Sequence, residues 1–465
     1  MSSSSISISK LRIDVGGRVI GPEDPEYDEA RTVFYGGIDR RPAAIVRVKD
    51  DMDVSRVVSL ARETGVELAV RSGGHSIPGH SVTDGGIVID LADLRALDID
   101  VEGRTVWAQT GLTAGEFSTA ANAYGLGVGF GDTGSVGIGG ITLGGGIGYL
   151  ARKHGLTIDD LLAADVVTAD GEIRRVDAET EPDLFWAIRG GGGNFGVATR
   201  FRFRLHELDT VVGGMLMLPA TVDTIAGFMA ESEASPGELG TIANVMKAPP
   251  LPFVPEEAHG KLVIMALMAY AGPTDAGQRV LAPFRALAEP VADMLRPMPY
   301  PEVYPPDQEG YHPVAITRTM FVDHIGRAEA ETILEHLETS TAMSGGGPVG
   351  GGVAQLRTLG GAMARVPVDA TAFAHRTSPI MVNVAAIFER PDEGEVHGPW
   401  VDGFAGALDQ RDDGAYVNFL GDEGEERVRA AYPGATWDRL RQIKARYDPT
   451  NLFRLNQNIP PKAAA

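Results

Sequence analysis

A glycine-rich turn that contains a histidine constrains this chain more than any other feature. It reads RSGGHSIPGHS over residues 71–81, and segments typical of β-strands flank it. Gly73, Gly74 and Gly79 permit backbone conformations and close approaches that a Cβ atom would forbid, so successive N–H groups can converge on an anion such as a pyrophosphate. The pattern predicts a turn that holds a phosphate-bearing cofactor and presents the imidazole of His75 to it.

A second glycine-rich segment, GDTGSVGIGGITLGGGIGYLARKHG, covers residues 131–155. Its glycines are denser than ordinary turns need, which favours close backbone packing against a flat cofactor, although turn chemistry alone could also explain them. A literal GxGxxG pattern occurs at residues 129–134. We expect no Rossmann-type dinucleotide site there, because no clear helix opens after it and no acidic residue stands at the spacing of a ribose contact.

A third motif, YDPTNLFRLNQNIPP, lies near the C-terminus at residues 447–461. Together with the two glycine-rich segments, it resembles the signature of the FAD-linked oxidases of the vanillyl-alcohol oxidase superfamily. These proteins have a PCMH-type FAD-binding domain and a berberine-bridge-type C-terminal module. The resemblance covers nearly the whole chain. It implies an FAD-linked oxidoreductase similar to the bacterial 6-hydroxynicotine-oxidase type.

The resemblance implies that His75 carries FAD covalently through the flavin 8α carbon. Relatives with two covalent bonds have a cysteine in the pattern C-x-x-V-G-x-G-G-H, and here Thr133 and Ile141 occupy its first and last positions. The chain contains no cysteine, so a second bond is impossible and mono-covalent FAD is predicted. The alternative is a loop histidine satisfied by backbone hydrogen bonds.

The remaining predicted FAD contacts are spread over the motifs. The three asparagines among them are expected to serve as hydrogen-bond partners, because amides both donate and accept, with a turn or capping role as the alternative. His80 is expected to be a polar neighbour. The full set is Arg71, Ser72, Gly73, Gly74, His75, Ser76, Gly79, His80, Thr133, Val136, Gly137, Gly139, Gly140, Gly144, Gly145, Val197, Asn418, Asn456 and Asn458.

Tyr416 is the candidate catalytic base. In GAYVNFLGDEG, Tyr416 and Asn418 stand two residues apart, so on a strand both would face the same side. The resemblance places Tyr416 near the reacting face, where it could take a substrate proton as hydride leaves. An unperturbed tyrosine has a pKa of about 10 and is a poor base at neutral pH. The alternative role is a buried tyrosine with a satisfied hydroxyl.

The resemblance also suggests the electron acceptor. Val136 matches a position where valine accompanies oxygen access to the flavin, which favours an oxidase over a dehydrogenase, although plain packing of a β-branched side chain would explain it too. The predicted reaction removes hydride from a C–H next to oxygen or nitrogen and gives hydrogen peroxide from dioxygen. The substrate could be a sugar, an alcohol, an amine or a secondary-metabolite intermediate.

Two other functions stay open at this level. The first is a flavin dehydrogenase or oxidative cyclase that does not use dioxygen as its main acceptor. The second is a catalytically silent flavin-binding protein. His375, Tyr304 and Tyr311 are candidate pocket-wall residues by their position in the sequence only.

The order of apolar segments predicts an α+β fold. Short strand-like and helical runs alternate in the first part, and longer strand-like runs separated by helices follow residue 210, as in a broad antiparallel sheet backed by helices. We therefore predict a two-lobed FAD-binding domain at 1–209, with its core from about residue 38. We expect a substrate domain to follow at 210–413. The last segment, 414–465, would then return to the FAD domain.

Composition restricts the partners. The net charge of −22 argues against nucleic acid and anionic membrane surfaces, since both require basic patches. With no cysteine and no HxH or HxxxH spacing among the ten histidines, no dedicated metal site is expected. The N-terminal residues lack the basic and apolar regions of a secretory signal, so a cytoplasmic location is expected.

Overall fold

The computed structural model describes residues 7–306, 310–340, 351–410 and 414–463. Helices and strands both contribute to the fold, as predicted. The helices are α1 (Ile8–Asp14), α2 (Tyr27–Ala30), α3 (Asp51–Thr64), α4 (Ala114–Asn122), α5 (Ile138–Gly144), α6 (Ala151–His154), α7 (Pro182–Ile188), α8 (Val222–Ala234), α9 (Thr274–Arg285), α10 (Arg327–Thr339), α11 (Ala362–Arg365), α12 (Gly394–Leu408), α13 (Gly424–Ala430) and α14 (Ala435–Tyr447).

Within the described ranges the strands form four sheets. They are β1 (Arg18–Ile20), β2 (Ala44–Arg47), β3 (Leu68–Arg71), β4 (Ile87–Asp90), β5 (Leu97–Asp100), β6 (Thr105–Gln109), β7 (Leu126–Gly127), β8 (Leu161–Val167), β9 (Ile173–Asp177), β10 (Val197–Arg204), β11 (His206–Glu207), β12 (Thr210–Pro219), β13 (Leu239–Lys247), β14 (Leu262–Tyr270), β15 (Ala292–Asp293), β16 (Arg296–Pro299), β17 (Val314–Val322), β18 (Gly351–Thr358) and β19 (Ile380–Phe388).

The first sheet has the order β1-β2-β4-β3. Strands β2, β4 and β3 run parallel, and β1 is antiparallel to β2. Helix α3 connects β2 to β3. The carboxylate of Asp50 caps its start, and Gly65, in the left-handed conformation, ends it, as is common for helix termini. Because β3 ends at Arg71, the glycine-rich turn begins at the carboxyl end of a parallel strand, a usual place for ligand contacts.

The second sheet is antiparallel, with the order β5-β6-β10-β8-β9. Helix α4 packs on it and begins with a capping box between Thr113 and Glu116, which satisfies N–H groups at the helix start. Its Phe117 meets Phe130 and Phe203 edge to face, with ring centroids 5.0 and 5.9 Å apart. Since Phe130 directly precedes the second glycine-rich segment, this core fixes where that segment starts. A two-stranded pair, β7 with β11, lies beside it.

The broad antiparallel sheet has the order β15-β12-β14-β13-β18-β19-β17, with β16 also paired to β12. One face packs on α8, α9, α10 and α12 through Phe228, Phe284, Leu337 and Phe404, which confirms the prediction of a sheet backed by helices. Strand β14 reads LVIMALMAY because it is central and covered on both faces. No helix in the described ranges has the length and apolar character to cross a bilayer.

The other face of this sheet meets the N-terminal half of the chain. Arg152, at helix α6, is buried and donates hydrogen bonds to the carbonyl oxygens of Ser232, Ser235 and Leu239, at 2.7 to 3.2 Å. These bonds hold the second glycine-rich segment against the end of helix α8 and the start of strand β13. The domain boundaries at residues 209/210 and 413/414 stay predictions.

A fully buried ion pair organises the C-terminal motif. Lys444 Nζ lies 2.6 Å from Asp448 Oδ2 and donates to the carbonyl oxygens of Asn194 and Phe453, at 2.7 and 2.9 Å. Asp448 also accepts the N–H groups of Leu452 and Phe453. The motif YDPTNLF is thereby folded around one lysine and tied to the turn at residue 194.

We expect Lys444→Met to lower the free energy of unfolding by about 3–5 kcal/mol, because it leaves the Asp448 carboxylate buried without its countercharge. The control is Arg446→Met on the same helix, whose side chain is largely exposed where it meets Glu181. Because exposed ion pairs contribute little, the control should change stability by about 0.5 kcal/mol at most. Urea denaturation followed by circular dichroism measures both, and equal losses would contradict the role of the buried pair.

Candidate functional site

The first glycine-rich turn lies directly against the second. Ser72 Oγ donates to the carbonyl oxygen of Thr110 at 2.5 Å and accepts the N–H of Gly139 at 3.2 Å. A Cβ atom added to Gly73 would overlap the backbone nitrogen of Gly137, and the reverse substitution would fail in the same way. Glycine is therefore required at both positions, because the two backbones touch.

His75 stands on an aromatic support that the sequence did not reveal. Its imidazole stacks on the ring of Phe34, with centroids 4.0 Å apart and planes 18° apart. Gly74 has φ +73°, and its carbonyl oxygen accepts a hydrogen bond from the N–H of Phe34. The histidine is half-buried, and the stack fixes the plane of its ring.

The rest of this turn is held by its own polar groups. Ser76 Oγ accepts the N–H of His80 at 3.1 Å, and Gly79 takes φ +72°. Burial, with a smaller effect of Arg40, lowers the pKa of His80 to about 4, since the charged form is disfavoured away from water. His80 is therefore neutral at pH 7, and its role as a polar neighbour of the cofactor stays a prediction.

The guanidinium of Arg71 is engaged within the protein. It pairs with Asp90 at 2.8 Å and donates to the carbonyl oxygen of Ala30 at 2.6 Å. These contacts join strand β3 to β4 and to the end of helix α2. The side chain thus holds the start of the turn in place, while its role as a cofactor contact stays a prediction.

The second segment begins as a loop and continues as helix α5. The expectation that no helix opens after residues 129–134 was wrong, because α5 begins at Ile138, after Gly137 as its N-cap. Single-sequence patterns miss this helix, since three of its seven residues are glycine, a poor helix former. The hydroxyl of Thr133 donates to Asp132 at 3.3 Å, and the carbonyl oxygen of Val136 accepts the N–H of Ala114.

The glycines of α5 differ in what surrounds them. A Cβ at Gly139 would press on Ser72, and one at Gly144 would overlap the amide of Asn418. Gly145 ends the helix with φ +131°. Gly140 is exposed and a Cβ there would meet no protein atom within 4 Å, so its space is open to a bound molecule.

Tyr416 and Asn418 are brought together, but not by a strand. The strand expectation was wrong, because Tyr416 directly precedes a 3-10 helix at Val417–Phe419. Asn418 Nδ2 nevertheless donates to Tyr416 Oη at 2.9 Å, and also to the carbonyl oxygen of Ile141 in α5. The tight turn of the 3-10 helix lets the two side chains meet.

The hydroxyl of Tyr416 receives three donors. Besides Asn418, the backbone N–H groups of Gly146 and Ile147 point at Tyr416 Oη, at 3.0 and 3.2 Å. Burial raises the pKa of Tyr416, and these three donors together with Arg357 act in the opposite direction, because they favour the charged form. The donors favour the phenolate, but burial is the larger effect, so the pKa of Tyr416 lies above its ordinary value.

The C-terminal asparagines reach the same region. Asn456 donates through Nδ2 to the carbonyl oxygen of Phe453 at 3.1 Å. Between it and Asn458, Gln457 donates to the carbonyl oxygens of Leu420 and Gly421. The final LNQNIPP is thus tied to the segment that follows Tyr416.

The remaining predicted residues, Val197 and the three pocket-wall candidates, lie in different parts of the fold. Val197 begins β10 opposite Val167 and belongs to an apolar cluster, so its cofactor role stays a prediction. Tyr304 lies beside Gly134 of the second segment, and burial raises its pKa and that of Tyr311. His375 stacks on Phe321, with ring centroids 4.6 Å apart.

An ion pair near the second segment was missed by the sequence analysis. Arg357 of strand β18 is buried and pairs with Asp132, which precedes Thr133. Its guanidinium also lies 5.0 Å from the ring centroid of Phe419, beside Tyr416. No sequence signal identifies this arginine, since it stands 225 residues from its partner in the chain.

The residues present fit FAD. Three buried oxygens near the motifs lack a hydrogen-bond partner within the described part of the chain: Ser135 Oγ, Asn456 Oδ1 and Asn458 Oδ1. Buried polar atoms are normally satisfied, so these positions call for donors from a bound molecule. The ring N–H and the ribityl hydroxyls of FAD are donors of this kind.

Comparison with known proteins identifies the class. A family model described as FAD binding domain matches residues 42–177, and one described as berberine and berberine like matches residues 415–460. An uncharacterised FAD-linked oxidoreductase of Bacillus subtilis, YvdP, is 32% identical, covering 96% of this chain and 98% of its own. (R)-6-hydroxynicotine oxidase of Paenarthrobacter nicotinovorans is 28% identical, covering 97% of this chain and 98% of its own.

A solved structure gives the same result. The crystal structure of 6-hydroxy-D-nicotine oxidase from Arthrobacter nicotinovorans matches with a TM-score of 0.83 and 26% identity, covering 96% of this chain and 98% of that one. The fold is therefore that of the two-lobed PCMH-type and berberine-bridge-like flavoproteins. The chain belongs to the FAD-linked oxidoreductases of the berberine-bridge-like family. It is an enzyme of FAD chemistry, and its family includes oxidases.

Gly140→Ala tests whether FAD occupies the open space. A helical glycine-to-alanine change stabilises by roughly 0.5–1 kcal/mol, so the thermal stability of flavin-free protein should rise slightly. Flavin content per polypeptide should fall, as measured by the ratio of flavin absorbance to protein absorbance. The control is Gly403→Ala on α12, also exposed with no atom near a Cβ, which should keep its flavin. Full flavin content in Gly140→Ala would show that the space belongs to solvent.

Proposed function

We propose that this chain is a flavin oxidase with FAD attached through His75 alone. It removes hydride from a C–H next to oxygen or nitrogen, and dioxygen is the final acceptor, yielding hydrogen peroxide. One observation carries this proposal. The three-donor surrounding of Tyr416 Oη lies where the second glycine-rich segment and the C-terminal module meet.

His75 suits covalent attachment by its place and its support. It follows the two glycines at the contact with the second segment, so a molecule bound across both segments lies next to it. The stack on Phe34 holds the imidazole in one plane, which limits the motion of a nucleophilic ring nitrogen. With Thr133 in place of the cysteine of bicovalent relatives, no second attachment forms.

Residues from all three motifs would hold FAD: the turn at 71–81, the segment at 131–147, and Asn418, Asn456 and Asn458. Bound FAD supplies the hydride acceptor and then passes two electrons to dioxygen, which with two protons gives hydrogen peroxide. Protein groups position the substrate and handle its proton. The Oδ1 atoms of Asn456 and Asn458, which lack a partner among the described residues, support this assignment.

Tyr416 takes the substrate proton in this proposal. Its oxygen accepts N–H groups from Gly146, Ile147 and Asn418, so negative charge that develops there is stabilised by fixed donors. The peptide groups that carry these backbone donors are held from their other side, because the carbonyl oxygens of Gly145 and Gly146 accept the N–H groups of Ile158 and Thr157. Proton transfer to Tyr416 leaves an alkoxide or amine from which hydride departs more readily.

The use of dioxygen rests on Val136. Its side chain is partly buried against the main core, beside the predicted cofactor position, and its small size leaves room at that edge. The substrate is a small molecule, of the sugar, alcohol, amine or secondary-metabolite type. A cytoplasmic location also stays a prediction. Turnover with flavin bleaching but without oxygen consumption would instead support a dehydrogenase or cyclase.

Acid denaturation of the purified protein tests the covalent link. We expect yellow chromophore to stay with the wild-type polypeptide and with His80→Gln, whose histidine lies in the same turn. The variant His75→Ala should release its flavin or lack it, because no other nucleophile replaces the imidazole. Absorbance of the separated polypeptide measures this. Release of flavin from the wild type would contradict the covalent link and leave the flavoenzyme assignment intact.

Tyr416→Phe tests the proton acceptor with whichever alcohol, sugar or amine releases peroxide in a screen. The rate of anaerobic flavin reduction should fall about 10²–10⁴-fold. Since the pKa of Tyr416 is raised, the wild-type rate should increase with pH through the neutral and alkaline range, and this dependence should vanish in the variant. The control is Tyr432→Phe, another fully buried tyrosine with a raised pKa, which should keep the wild-type rate. Equal rates in Tyr416→Phe and the wild type would exclude this role.

A further inference from the structure

A row of polar side chains crosses the face of the broad sheet that is turned away from its helices. Asn244, Gln355, Asn383 and Thr319 stand directly opposite one another on the neighbouring strands β13, β18, β19 and β17. Residues at such positions point to the same face of a sheet. The neighbours on this face are largely apolar, with four methionines to one side: Met215, Met217, Met246 and Met265.

Arg357 fixes the orientation of the first amides in the row. Both Nε and an Nη of Arg357 donate to Gln355 Oε1, at 2.9 and 2.7 Å. Gln355 must then present its Nε2, which donates to Asn244 Oδ1 at 2.9 Å, and Asn244 Nδ2 donates to the carbonyl oxygen of Met265. Because arginine can only donate, the direction of every bond in this series is determined.

The row is electrically balanced. The charge of Arg357 is compensated by Asp132 in the second glycine-rich segment. Arg427, which donates to the carbonyl oxygen of Thr319 at 2.7 Å, lies 3.5 Å from the carboxylate of Glu423. Among the described residues, the row therefore presents amides and hydroxyls without an uncompensated charge.

Two oxygens of the row remain unsatisfied. Asn383 Oδ1 and Thr319 Oγ1 are buried and have no hydrogen-bond partner within the described residues. A buried amide oxygen without a donor costs free energy, so a bound donor is favoured there. The oxygen of Asn383 can only accept, so it selects an O–H or N–H group.

This row faces the region of the proposed chemistry. Thr317, two residues before Thr319 on β17, donates to the carbonyl oxygen of Phe419 at 3.2 Å, next to Asn418 and Tyr416. Arg357 lies over the Phe419 ring and contacts the second segment through Asp132. A molecule bound between the sheet and the cofactor segments would therefore lie near Phe419 and the row.

We infer that this row is the recognition strip of the substrate cavity and selects an uncharged substrate carrying a hydroxyl or N–H donor. The inference rests on the proposed function, since it concerns the same cavity. Asn383 and Thr319 bind the donor, and the pair of Arg357 with Asp132 keeps the strip neutral. A substrate carboxylate would face the lone pairs of Asn383, and the described residues of the strip offer it no uncompensated cation. A substrate ammonium would likewise find no uncompensated anion there, so both charged groups are disfavoured.

Matched probes on the holoenzyme test this selectivity. One frame is glucose, glucuronate and glucosamine, and the other is benzyl alcohol, benzoate and benzylamine. Perturbation of the flavin absorption spectrum under anaerobic conditions measures binding, and thermal shift provides a second readout. We expect wild-type protein to bind the neutral member of at least one frame about tenfold or more tightly than its charged members.

Two variants that change the charge of the strip should switch this preference. Asp132→Asn leaves Arg357 uncompensated and should tighten carboxylate binding about tenfold or more. Asn383→Asp adds an anion and should do the same for the ammonium probe. The matched control is Asp293→Asn, which removes the carboxylate partner of Arg285, at 2.6 Å, between strand β15 and helix α9, and should change no preference.

Asn383→Leu should weaken binding of the neutral probe about tenfold, because it removes the buried acceptor. Should Asp132→Asn fail to fold, Asn383→Asp carries the same test, since it keeps the side-chain shape and Oδ1 and exchanges only the amide nitrogen for an oxygen. The inference would be overturned if the wild type preferred a charged probe or responded to neither neutral probe. It would also be overturned if the folded variants kept the wild-type preference.

The outcome is separable from that of the proposed function. Neutral-selective binding that switches with charge supports the recognition strip even if no probe bleaches the flavin or releases peroxide, which would count against the oxidase alone. Peroxide release from a charged substrate would leave the oxidase in place and overturn the strip.

Discussion

The site depends on the contact between two backbones at Gly73 and Gly137. No side chain larger than hydrogen fits at either position, and Ser72 seals the contact by bonding to Thr110 and Gly139. The first turn continues a parallel strand and the second starts from an aromatic core under helix α4. The contact therefore joins two sheets at the place where the candidate cofactor residues gather. Glycine here serves close approach, while at Gly74 it serves a positive φ.

From this contact the rest of the site follows in steps. Helix α5 leads away from Gly137, and its end at Gly145 exposes the N–H groups of Gly146 and Ile147 to Tyr416. Tyr416 belongs to the C-terminal module, which Lys444 and Asp448 hold against the turn at residue 194. The position of one phenol oxygen thus depends on segments separated by about 270 residues in the chain. Such convergence explains why neither glycine motif alone defines a function.

The alternation of apolar segments predicted the α+β fold and the broad sheet backed by helices, because periodicity is a local signal. The cofactor roles of the turn at 71–81, the glycine series and the C-terminal LNQNIPP stay predictions. The helix α5 and the 3-10 helix after Tyr416 were missed, since local propensity there is weak and tertiary contacts decide. The support of Phe34 under His75 and the pair of Arg357 with Asp132 could not be predicted, because each depends on pairing between distant segments. The polar row was likewise hidden, as its members lie on four strands whose register only the sheet reveals.

Buried charge has a specific use in this molecule. Ionic pairs such as Arg357 with Asp132 add little net stability compared with apolar residues of similar size, because desolvation offsets the attraction. They do fix geometry, since a mispaired arrangement leaves a buried charge alone. Lys444 with Asp448 fixes the C-terminal motif, and Arg376 with Asp159 fixes the loop before the broad sheet's strand β19. Arg357 with Asp132 differs in setting the direction of hydrogen bonds along the polar row as well. Arg357 thereby orients Gln355 and Asn244, while Asn383 Oδ1 and Thr319 Oγ1 are the oxygens of the row that stay without a partner among the described residues.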